Sequence, residues 1–74
     1  MVKQYLWEIV GEFVSEREVA TPQHIEEHMK TLGYNEMQAY NAMRLAEYPY
    51  GEIEKYELDT PRGKILVYIP ATKD

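Results

Sequence analysis

Apolar residues open the chain at helical spacing. Val2, Leu6, Ile9 and Phe13 fall on one stripe at ~100° per residue, with Tyr5 at its edge, and predict a helix over about residues 2–15 whose core face is that stripe. Trp7, Val10 and Val14 widen the apolar arc to roughly 200°, more than a helix lying on a single core needs. Two uses of the extra residues stand open. They cover the space beneath a later ribbon or the C-terminal tail, or they form a self-association or partner surface in which Trp7, Val10 and Val14 provide the aromatic anchor.

The second and third helices are marked by their ends as much as by their faces. Thr21 is a good N-cap, Pro22 suits the first helical position, and Gly33 ends the pattern, so a helix is predicted over about 22–32 with Ile25, Met29 and Leu32 inward. Tyr34 is placed to fold back on its last turn. Asn35 follows at once and, with Gln38 three residues on, forms a capping box that starts a third helix over about 36–47. A stop and a start this close force the two helices to cross steeply, as in a helix-turn-helix.

The period then changes from helical to alternating. Residues 52–58 and 64–69 read as strands, and Asp59-Thr60-Pro61-Arg62-Gly63 between them is turn chemistry, giving a hairpin wing over about 52–69. Val19-Ala20 is a candidate third short strand before the second helix. The fold class expected is α+β: three helices followed by a two-stranded β-hairpin, in one domain spanning residues 1–74.

The third helix has two distinct sides. Ala39, Ala42, Met43 and Ala46 cluster on one, and Met37, Tyr40, Asn41, Arg44 and Tyr48 lie nearly opposite. The alanine side is the better core, because small residues permit close helix packing whereas burying Asn41 and Arg44 would be costly. Met37, Gln38, Tyr40, Asn41 and Arg44 are therefore expected to face outward.

Composition complicates this picture. Thirteen acidic residues against eight basic ones give a formal charge of −5, with a pI near 4.9, where a nucleic-acid-binding domain is ordinarily basic. There is no cysteine, so neither a disulfide nor a cysteine-ligated zinc site is available to staple so short a chain, and oligomerisation is the expected supplement to its core. The longest apolar run, residues 65–70, is far short of the ~20 needed to cross a bilayer, and a cytoplasmic protein without membrane contact is expected. Few Asn, no Cys and many Glu and Tyr suit a hyperthermophile or one of its viruses.

The stretch ATPQHIEEHMKTLGYNEMQAYNAMRLAEYPYGEIEKYE, with TPRGKILVYIP after it, resembles the winged-helix superfamily of transcription regulators, in particular the small single-domain members of bacteria, archaea and archaeal viruses. The resemblance implies a homodimer on double-stranded DNA, with the third helix in the major groove and the wing on the backbone or minor groove. It assigns base reading to Asn35, Gln38, Tyr40, Asn41 and Arg44, with Met37 on the same face, and backbone contact to Arg62 and Lys64. Glu36, Met37 and Tyr40 stand where Ser, Thr and Arg are commoner. Winged helices also serve as protein-interaction modules, so the alternative is an accessory subunit, an adaptor or an acidic inhibitor of a nucleic-acid enzyme.

Enzyme chemistry finds little footing. His24-Ile25-Glu26-Glu27-His28 matches the H-x-x-E-H spacing of inverted zincins, but a third ligand and an enclosed cleft would also be needed. No glycine-rich phosphate loop, serine elbow or cysteine nucleophile is present. No cofactor and no catalytic activity are expected.

Overall fold

The computed structural model describes residues 4–71. Its elements are α1 (Leu6–Arg17), α2 (Pro22–Thr31), α3 (Glu36–Glu47), β1 (Ile53–Thr60) and β2 (Gly63–Pro70). The two strands form one antiparallel hairpin, so the chain is an α+β winged helix-turn-helix. Val2 and the tail beyond Ala71 lie outside the described residues.

The α2-turn-α3 unit is specified locally at every joint. Thr21 accepts a hydrogen bond from the His24 backbone N–H, while the His24 ring accepts from the Thr21 N–H; Pro22 occupies the first turn. At the other end Gly33 takes φ 96, and the Gly33 and Tyr34 N–H groups donate to the carbonyls of Lys30 and Met29. This is the paired bonding of a Schellman stop, and Tyr34 packs back on the core as its apolar contact. Asn35 and Gln38 then exchange side-chain and backbone bonds at 2.8 and 2.9 Å, which starts α3.

The first helix departs from expectation in limits and in face. It begins at Leu6, with Tyr5 as an N-cap that offers no side-chain bond, and runs on to Arg17. It ends at Glu18, a non-glycine residue at φ 70. Its buried residues are Val10, Gly11 and Val14, whereas Leu6, Ile9 and Phe13 are only partly covered. The physical reason is that α1 packs against α3, α2 and β2 together, so the middle of its wide apolar arc, rather than one flank, becomes the core. Val10 and Val14, both 0% exposed, are thus withdrawn from any partner surface.

Gly11 sets how closely α1 approaches the start of the wing. A Cβ there would lie 2.9 Å from the Cβ of Glu52, a separation real side chains do not tolerate. The core itself gathers Val10, Val14, Ile25, Met29, Ile53 and the alanines of α3.

The hairpin is longer and its turn tighter than expected. Thr60 pairs with Gly63, leaving only Pro61-Arg62 as the loop. The Thr60 hydroxyl donates to the Gly63 carbonyl and accepts the Arg62 N–H, so a side chain supplies the closure that a longer loop would have needed. At the root of the wing Ala20 and Tyr68 exchange two backbone bonds of 3.0 and 2.7 Å, which is the short third-strand contact.

Candidate nucleic-acid interface

The alanine side of α3 faces inward. Ala39, Ala42, Met43 and Ala46 are buried, and Gln38, Asn41 and Arg44 are exposed together with Met37 at 67% and Tyr40 at 54%. Arg44 is one turn beyond Tyr40, and its guanidinium carbon lies 5.8 Å from the centre of the Tyr40 ring. The pair presents a planar cation supported by an aromatic face, a geometry that suits bidentate bonding to a base edge or a phosphate.

Not every residue expected to read bases is equally free to do so. The Asn35 and Gln38 side-chain oxygens each accept a backbone N–H in the α3 cap. Each oxygen keeps a second lone pair and each amide its N–H donors, so the cap leaves both groups able to bond a base edge but fixes how each amide is turned. Asn41 and Arg44 lie outside the cap and are the less constrained base-reading candidates on α3.

The wing places Arg62 in its turn and Lys64 next to it, both exposed. Lys64 stands directly across the ladder from Asp59. Lys55, further down the ribbon, pairs with Glu47 at the end of α3 at 3.7 Å, tying the wing to that helix. Tyr68 lies beneath this junction, its phenol held above its usual 10.0 chiefly by burial and then by the Glu47 carboxylate and Tyr40.

Trp7 is not an open anchor. Its ring is sandwiched between Tyr5, at 4.4 Å and 9°, and Tyr50, at 4.0 Å and 2°. With Val10 and Val14 in the core, the surface patch expected from these three residues does not exist. The exposed aromatic surface here passes instead to Tyr5, Tyr50 and Tyr48; helical spacing had put Tyr5 at the edge of the first stripe and Tyr48 on the outward side of the third helix, whereas Tyr50 was not singled out.

Both histidines have structural partners. His24 closes the α2 cap, with an Arg17 guanidinium nitrogen 3.4 Å from the same Nδ1, and the His28 ring stacks on Phe13 at 4.2 Å. Among the described residues no group of three His, Cys, Asp or Glu side chains is arranged to hold a metal ion.

A groove of about 620 Å³ runs between α2 and the first turns of α3. Pro22, Met37, Tyr40 and Met43 line it, and Glu26 and Glu36 stand on it as well. The helical spacing held a signal for its α2 wall, since Pro22 and Glu26 are four residues apart and flank the core position Ile25.

Among the described residues no helix is long and apolar enough to cross a membrane. Comparison of the chain with protein-family models, with curated proteins and with solved structures gives no match in any of the three.

Proposed function

We infer that this protein is a sequence-specific DNA-binding transcription regulator of the winged-helix type, acting in the cytoplasm. In this reading α3 enters the major groove and the wing tip rests on the backbone or in the minor groove. The observation that carries it is the division of α3: alanines turned inward, and Tyr40, Asn41 and Arg44 turned outward on the helix that follows the tight turn.

Arg44 matches guanine and Asn41 matches adenine, each good bidentate pair contributing ~1–3 kcal/mol of discrimination. Arg62 and Lys64 serve the phosphates. Two copies reading a pseudo-palindromic site would meet at the start of α1, where Tyr5 before the helix and Tyr50 between α3 and β1 are exposed rings stacked on Trp7.

Titrating a mixed-sequence duplex at about 50 mM and about 200 mM salt tests the reading, since each neutralised phosphate contributes ~0.9 to the logarithmic salt slope. The two phosphate-facing cations of each subunit, Arg62 and Lys64, predict a loss of roughly 12-fold per subunit across that range. A chain that binds no duplex at the lower salt, or binds with no salt dependence, is not a DNA-binding protein.

A further inference from the structure

The groove between α2 and α3 carries features that DNA reading does not use. Its lining is apolar, with Met43 at its base only 7% exposed and Met37 and Tyr40 rising from it well exposed. Methionine side chains adapt to varied apolar surfaces, and a concave apolar site with few polar groups is the usual form of a docking site. The charge beside it is negative. Glu26, which pairs with Lys30 at 3.0 Å, and Glu36 both line the groove, so two carboxylates stand on it against one neighbouring cation. Phosphate would be repelled from this end of α3, and a cationic segment would be drawn to it.

We propose that this groove docks a segment of another protein that presents an apolar side chain between Lys or Arg residues. The anchor seats on Met37, Tyr40 and Met43, and the flanking cations meet Glu26 and Glu36. The proposal goes beyond DNA binding and does not depend on it. Met37 and Tyr40 belong to both surfaces, so an occupied groove would also cover part of the face the DNA reading uses; that overlap, unlike the docking itself, rests on the DNA reading.

The test is a titration of the whole protein, without DNA, with a synthetic amphipathic peptide carrying two leucines one helical turn apart between lysines. The methionine methyl groups are followed by NMR. Met37 and Met43 resonances should move together while fully buried Met29 stays still, and a peptide with glutamate in place of lysine should move none of them. The variant Glu26→Gln/Glu36→Gln should bind roughly three- to tenfold more weakly, the scale of two exposed charge pairs. Glu8→Gln/Glu12→Gln, with the same change in net charge on α1, should bind as the parent does.

Four results overturn the proposal: no methyl shift at about millimolar peptide; equal weakening by both double variants; Met37 and Met43 shifts that appear with rising protein concentration alone as the molar mass doubles; and shifts produced by duplex DNA but not by peptide. The third would make a second copy the occupant, and the fourth would give the groove to DNA. Failure of the DNA reading alone would leave the peptide shifts intact.

Discussion

The two sides of α3 follow opposite rules. The inward side is built from Ala39, Ala42 and Ala46 with Met43, and the three alanines let the helix lie close to the rest of the core. The outward side carries Met37, Tyr40 and Arg44, large groups that the fold leaves exposed. Exposing large apolar side chains contributes little to stability, while burying three alanines and a single methionine forgoes much of the apolar area a helix could bury. A helix arranged for stability alone would be turned the other way in composition. The contrast is what supports the proposal that the outward side is kept for a ligand.

Three substitutions sharpen that contrast through the fold. Ile25→Ala, in the cluster the alanines join, should have the largest effect, about 2–5 kcal/mol of lost stability; a denaturant midpoint that stays put would mean the inward side is not the core. Gly11→Ala forces α1 away from Glu52 and should cost about 1–3 kcal/mol, or ~4–8 °C in thermal midpoint for each kcal/mol. Unchanged melting would show that the close approach is not required. At the outward side, Met37→Ala should move the midpoint by no more than about 0.5 kcal/mol, as exposed positions do.

The smallest effect is one of pH. The Tyr68 phenol is raised in the folded chain, first by burial and then by Glu47 and Tyr40, so the unfolded chain releases its proton first as pH climbs through 10.0. The contribution is fully present below that pH and is lost between it and the higher folded value. Tyr68→Phe should therefore flatten the fall in urea midpoint above pH 10.0 and leave the slope below it unchanged. Lys30, raised mainly by its bond to Glu26, titrates in the same alkaline region and persists in the variant.

Where the determinants are local, the sequence was legible. The Thr21, Asn35 and Gly33 signals place the α2-turn-α3 joints within a residue because each acts through hydrogen bonds only three to five residues apart. Those same signals tie the Asn35 and Gln38 amides into the cap, which fixes how each is turned toward a base. The face of α1 was misjudged because its apolar arc is wide and three partners share it, a tertiary matter that periodicity cannot resolve. The wing's short turn was missed because it rests on a bond from the Thr60 side chain. The groove was legible only as the spacing of its α2 wall, since it exists once Pro22 and Glu26 of one helix stand beside Met37 and Tyr40 of the next.

The most direct measurement compares Arg44→Ala with the parent chain on one duplex, selected by the parent from a random-sequence pool, with thermal unfolding recorded alongside. If the outward side of α3 reads DNA, affinity falls by about tenfold or more, as loss of one base contact implies, while the unfolding midpoint holds. Equal affinity for the two proteins, with both folded, would contradict the account.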